Sequence, residues 1–155
     1  MVCMGNICRS PIAEGVLRAK LLRAGLQRRV VVDSAGTSGM HGGEAPDPRG
    51  IRKAAARGYA IGALRARGVV DADFQNFDLI LAMDSRNLQW LRDRAPVPSP
   101  ASIEMLLSRS PPASDGTSDV PDPYYGAEQG FDRVLDLVEG ACDEWVRRWS
   151  RPAPQ

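Results

Sequence analysis

The sequence predicts an α/β fold: a small three-layer α/β/α domain around a mostly four-stranded parallel sheet. Two observations carry that reading. Runs of strand length that are β-branched or wholly apolar, VVVDSAG at 30–36 and FDLILAMD at 77–84, read as buried parallel strands, and stretches of helical period alternate with them. At 155 residues, 43% of them apolar, the chain can fill one core but hardly two, so residues 1–155 read as a single domain. An open α/β sheet binds its ligands beyond the carboxyl ends of its strands, and the motifs of interest fall in those loops.

Taken in order, the first helical pattern begins at Pro11. PIAEGVLRAKLLRAG carries apolar side chains at Ala13, Val16, Leu17, Leu21 and Ala24 and stops at Gly25. Ser10 suits an N-cap and Pro11 a first helical residue. GIRKAAARGY predicts a second helix before the 77–84 strand, and NLQWLRDRA at 87–95 a third after it. IEMLL at 103–107 is a fourth candidate strand. Segment 96–123 has seven prolines among its 28 residues and otherwise reads as irregular surface chain. FDRVLDLVEGACDEWVRRW at 131–149 predicts an amphipathic closing helix.

Composition excludes several classes of function. No apolar run approaches the roughly 20 residues of a membrane helix, so no membrane association and a cytoplasmic location are expected. Three cysteines, one histidine and no CxxC spacing fit thiols in a reducing compartment, with no metal site and no cofactor expected. The net charge of +1 hides an asymmetry: residues 1–70 carry twelve Arg and Lys against four Asp and Glu, and the remainder eight against fifteen. The basic half lacks interleaved aromatics, so nucleic acid is not an expected partner.

The chemistry concentrates between Cys3 and Arg9. In the intervening MGNIC, Gly5 and Asn6 tolerate positive φ, so the loop can curl with its backbone N–H groups inward, a nest for an oxyanion. A helix starting directly behind it adds unpaired N–H groups and the positive end of its dipole. Arg9 supplies a planar fork for two phosphate oxygens. That same field favours a thiolate at Cys3, and Ser10 can donate to the sulfur. A Cys-x5-Arg spacing alone is common, and a free cysteine is usually inert packing. The Gly-Asn loop running into a Ser-Pro helix start is what distinguishes this one. In VPDPYYG at 120–126, Asp122 is either a turn former or an acid at the wall of an aromatic-lined cleft.

Together, VCMGNICRSP at 2–11, DSAGT at 33–37, PDPR at 46–49, DFQNFDLILAMD at 73–84 and DPYYG at 122–126 resemble the low-molecular-weight protein-tyrosine phosphatases. The resemblance implies that Cys3 is the nucleophile, Arg9 the phosphate clamp and Asp122 the general acid and base of a metal-free, two-step hydrolysis through a cysteinyl phosphate. It also implies that Met4, Gly5, Asn6, Ile7, Cys8 and Ser10 form or order the substrate-binding loop, and that Tyr124 and Tyr125 line a cleft of a depth suited to phosphotyrosine in a protein. Bacterial relatives that act on phosphoarginine carry threonine at the position of Ile7. Cys8 matches a second loop cysteine able to trap an oxidised nucleophile as a disulfide. Met40 and His41 stand where relatives carry an aromatic and a polar residue at the cleft wall. Cys142, Trp90, Trp145 and Trp149 read as packing.

The chain departs from the family at its start, where only Met1 and Val2 precede Cys3 in place of a longer apolar strand. The first strand therefore reads as truncated, with exposed core and a poorly anchored phosphate loop as the expected consequences. Competing readings are an arsenate reductase, which needs relay cysteines absent from the central region, a phosphoarginine phosphatase, and a catalytically inactive phosphoprotein-binding module. A monomer or weak dimer is expected.

Overall fold

The computed structural model describes residues 1–112 and 115–152. Its elements are β1 (Val2–Cys3), α1 (Arg9–Arg23), β2 (Ala35–Gly36), α2 (Pro48–Ala56), α3 (Asp73–Asn76), β3 (Leu79–Ala82), α4 (Ser85–Arg94), β4 (Ser102–Met105), a 3-10 turn (Leu106–Arg109) and α5 (Gln129–Trp149). The four strands form one parallel sheet in the order β2-β1-β3-β4. The chain leaves β1 toward β2 on one side and returns to β3 on the other. The carboxyl end of β1, at Cys3, is thus the topological switch point of the sheet.

Alternation along β3 divides the core between two faces. Leu81 packs with Cys3, Ile12, Val16, Leu135 and Val138 on the α1/α5 side, while Ile80 and Ala82 pack with Val2, Phe74 and Leu91 on the α4 side. Helix α5 buries Phe131, Val134, Leu135, Val138, Ala141, Cys142 and Trp145, a three-and-four spacing that makes one continuous apolar stripe. Trp145 meets its polar obligation by donating Nε1–H to the Leu106 carbonyl at 2.9 Å.

Several expectations are corrected. Helix α1 begins at Arg9, two residues before Pro11; its N-cap is Cys8, with no side-chain cap, and Ser10 lies inside the first turn with its hydroxyl directed elsewhere. Of the 30–36 run only Ala35–Gly36 joins the ladder, because β1 offers only Val2 and Cys3 as partners. In segment 96–123 the candidate strand at 103–107 is present as β4 but ends at Met105, and Leu106–Arg109 form a 3-10 turn; residues 113–114 lie outside the described residues. The short α3, whose Asp73 accepts from the Val70 N–H at 2.9 Å and pairs with Arg67, had no signal in the hydrophobic pattern.

A cavity of about 400 Å3, lined by Met1, Leu17, Val30, Val32, Leu79, Leu81 and Trp149 among others, lies off the start of β1. The loop after β1 is nevertheless well anchored, contrary to expectation: Thr37 and Ser38 donate N–H bonds to the carbonyls of Cys3 and Met4, both at 2.9 Å, and Asp47 donates to that of Ile7 at 2.8 Å.

The close approach depends on Gly36. A Cβ there would lie 2.6 Å from the Met4 carbonyl oxygen and 2.8 Å from that of Ser38, both backbone atoms that cannot swing aside. Gly36→Ala is expected to cost about 2 kcal/mol in urea denaturation, as overpacking against fixed backbone does; an unchanged midpoint would contradict the contact.

Candidate active site

The turn from Cys3 to Arg9 is shaped by one residue in the left-handed region, Asn6 at φ 56°. Asparagine tolerates this conformation better than most residues. Gly5 does not adopt positive φ. Its lack of a side chain serves a different purpose, since a Cβ would meet the His41 ring at 3.0 Å.

Asn6 also fixes the turn with its side chain. Nδ2 donates to Ser10 Oγ at 2.8 Å and to Ser34 Oγ at 3.0 Å, and Oδ1 accepts from the Arg67 N–H at 3.0 Å. Ser10 Oγ sits 3.0 Å from Cys3 Sγ, and the Asn6 backbone N–H donates to the same sulfur at 3.3 Å. Because Ser10 Oγ already accepts from Asn6, its own proton is free to point at the sulfur. Ser34 Oγ donates onward to the buried Glu14 at 2.7 Å. Burial pushes the Glu14 carboxyl upward, while the Ser34 hydroxyl and Arg18 pull it back.

A cleft of about 130 Å3 opens on this turn, and it brings together Cys3, Met4, Gly5, Ile7, Cys8, Arg9, Met40, His41, Asp122, Tyr124 and Tyr125. Of the residues expected in substrate binding, Asn6 and Ser10 lie buried behind the turn, where they hold its shape and do not line the cleft. The uncapped N-terminus of α1 leaves first-turn N–H groups without side-chain partners, the condition for receiving an anion.

Buried Arg9 donates from Nη1 to Asp84 Oδ2 at 2.5 Å and to the Val120 carbonyl at 3.1 Å, and its Nη2 lies 3.6 Å from Asp122 Oδ2. Burial opposes its charge, but the Asp84 hydrogen bond with the charges of Cys3, Asp84 and Asp122 outweighs it, so the guanidinium pKa is raised and Arg9 stays cationic. Asp122 both forms a turn and stands in the cleft wall. Its Oδ1 accepts from the Tyr124 N–H at 3.1 Å, a local turn, while Oδ2 faces Arg9.

Three contributors went unassigned in the sequence. Asp84, at the end of β3, both caps α4 through the Asn87 N–H at 2.8 Å and orients Arg9; an acid closing an apolar strand was its only signal. Arg49 clamps the Asp122 loop from below, pairing with Asp47 at 2.9 Å, donating to the Tyr124 and Gly126 carbonyls at 3.0 and 3.3 Å, and lying 4.8 Å from the Phe131 ring centroid. Ser34 carries the network to Glu14. Beyond the Asp47–Arg49 pair and the Asp84 cap, these pairings are non-local.

An oxyanion nest at a helix N-terminus, with a cysteine sulfur at its base and a carboxylate at its lip, is the equipment of a cysteine-dependent phosphoryl-transfer enzyme. The sequence profile of the family described as Low molecular weight phosphotyrosine protein phosphatase matches residues 1–153, and the chain belongs to that family. It is 45% identical over 141 residues to the low molecular weight protein-tyrosine-phosphatase of Streptomyces coelicolor, covering 90% of this chain and 85% of that one. Its structure is similar, at a TM-score of 0.89 and 40% identity, to a protein tyrosine phosphatase from Entamoeba histolytica with Hepes in the active site, over 96% of this chain and 93% of that one. A drosophila arginine phosphatase is similar at the same TM-score of 0.89 and 30% identity, over 98% and 97% of the two chains. The chain is accordingly a phosphatase, and these likenesses do not favour arsenate reduction or an inactive binding module.

The thiols should separate chemically. Burial first, then the neighbouring Asp47, Cys3 and Asp122, push Cys8 up to about 12, and burial pushes Cys142 up to about 12. Iodoacetate at neutral pH, read by peptide mass spectrometry, is therefore expected to alkylate Cys3 and spare Cys8 and Cys142. Labelling of Cys8 at a rate equal to that of Cys3 would contradict this assignment.

Proposed function

We propose that this phosphatase hydrolyses phosphotyrosine in proteins, with Cys3 as nucleophile, Arg9 as phosphate clamp and Asp122 as general acid and base. The observation that supports it best is the convergence of the Cys3 sulfur, the Arg9 fork and the Asp122 carboxylate on one cleft. In the first step the Cys3 thiolate forms an S–P bond as the bond from phosphorus to the phenolic oxygen breaks, and Asp122 gives its proton to the departing oxygen. In the second, Asp122 takes a proton from water, whose oxygen bonds to phosphorus as the S–P bond breaks, releasing inorganic phosphate and the thiolate. Arg9 and the turn's N–H groups hold the phosphoryl oxygens throughout, acting by position and charge. To do so Arg9 must turn part of its fork from Asp122 toward phosphate, while Asp84 keeps the other part fixed.

The sulfur supplies the nucleophile and the nest the positive charge, so the reading needs no metal or cofactor. Tyr124 and Tyr125, ring centroids 4.9 Å apart and edge to face, support an aryl substrate, and Ile7 in place of threonine argues against phosphoarginine. The proposal extends to one domain over residues 1–155 that acts in the cytoplasm as a monomer or weak dimer on phosphotyrosine-containing proteins. Three free cysteines support the reducing compartment, and among the described residues no helix is long and apolar enough to cross a membrane.

Phosphate release from p-nitrophenyl phosphate tests the assignment. Cys3→Ser is expected to lose at least about 10⁴-fold in kcat, and Asp122→Ala about 10²- to 10³-fold, more for a phenol that leaves poorly. Full activity in Cys3→Ser would overturn the mechanism.

A further inference from the structure

The mouth of the cleft has an unusual surface. Among the described residues eight large apolar side chains are exposed, and four of them line this one cleft: Met4 at 48%, Met40 at 73%, Tyr124 at 41% and Tyr125 at 88%. Exposed apolar side chains scattered singly need no explanation, but a cluster around a binding site marks what the site receives. Two of the four are methionines, whose unbranched, polarisable chains adapt to varied apolar neighbours.

The charges at the mouth point the same way. Its basic side chains are already engaged: Arg9 by Asp84 and Asp122, and His41 Nδ1 by Glu44 Oε2 at 2.8 Å. Arg49, near the Tyr124 ring, is taken up by Asp47 and two backbone carbonyls. An acidic residue beside the phosphotyrosine would therefore have to displace an existing carboxylate. It would also approach the carboxylate of Glu44, whose side chain is 59% exposed. Like charges there raise the cost of docking.

We infer that the rim formed by Met4, Met40, Tyr124 and Tyr125 selects phosphotyrosine segments flanked by apolar residues and disfavours acidic flanks. Selection operates beyond the reacting phosphate, through apolar surface that the flanking side chains bury when the phosphorylated ring enters the cleft. This rests on the phosphotyrosine reading above and adds the sequence class of the substrate.

The test compares kcat/KM for three matched phosphotyrosine peptides with leucine, glutamine or glutamate on both sides of the phosphotyrosine, beside p-nitrophenyl phosphate as a flank-free reference. Leucine flanks are expected to exceed glutamate flanks by about tenfold, the effect of removing roughly 50 Å2 of apolar surface from water. In Met40→Gln and Tyr125→Ser that ratio should fall toward one. The ratio within each variant is independent of how much folded enzyme is present. Equal rates on the three peptides, faster turnover with glutamate flanks, or an unchanged ratio in both variants would overturn the inference while hydrolysis of p-nitrophenyl phosphate left the phosphatase reading standing. Inactivity toward every substrate would sink that reading, and the inference with it.

Discussion

The amide of Asn6 is satisfied at all three of its hydrogen-bonding arms, by Ser10, Ser34 and the Arg67 backbone, and the geometry of the cleft follows from that arrangement. A left-handed residue on its own would leave the turn with other conformations to explore. Pinning the side chain as well makes the reversal at residue 6 the one in which the backbone N–H meets the Cys3 sulfur. The same amide orients the Ser10 hydroxyl toward that sulfur. Buried polar networks of this kind stabilise one conformation strongly when complete and are costly when a member is lost, because each abandoned donor or acceptor stays out of water. Loss of the Asn6 side chain would leave Ser10, Ser34 and the Arg67 N–H short of a partner together.

The sheet supplies the frame for this turn. With β1 between β2 and β3, the Cys3 sulfur emerges at the one place where neighbouring connections diverge, and the cleft needs no further excavation. Gly36 lets β2 lie against the Met4 carbonyl, which brings Thr37 and Ser38 close enough to bind the turn from one side. The Asp122 loop arrives from the opposite end of the chain and is tied down independently. Asp119 accepts from the Ser85 N–H at 2.9 Å, Val120 donates to the Met83 carbonyl at 2.8 Å, and Arg49 holds the far side. Asp122 and Cys3, more than a hundred residues apart in sequence, are thus each fixed to the ends of neighbouring strands.

Much of this was legible in the residues because it is local. The Cys3–Arg9 turn, the helix behind it and the tyrosine pair each declare themselves within about ten residues, and the apolar stripe of α5 is a periodicity. What the sequence hid depends on distant partners. Ser10 looked like an N-cap, and only the presence of Cys3 and Asn6 at hydrogen-bond distance explains why its hydroxyl is spent elsewhere. The strand length at 30–36 is set by how much of β1 lies beside it, which no property of VVVDSAG reveals. Asp84 and Arg49 act through Arg9 and the Asp122 loop, contacts that span 75 residues or more. The expectation that the phosphate loop would be loose failed for the same reason: its anchors come from β2, the α2 N-terminus and residue 67, not from the strand that precedes it.

The central claim is that this pinned turn makes Cys3 a nucleophile toward phosphorus. Rapid acid quench during turnover of an aryl phosphate, with Asp122→Ala used to slow the hydrolytic step, followed by peptide mass spectrometry, examines it most directly. The account predicts a phosphoryl group on the peptide that carries Cys3, absent after Cys3→Ser. Turnover with no covalent adduct, or an adduct on any other residue, would contradict it.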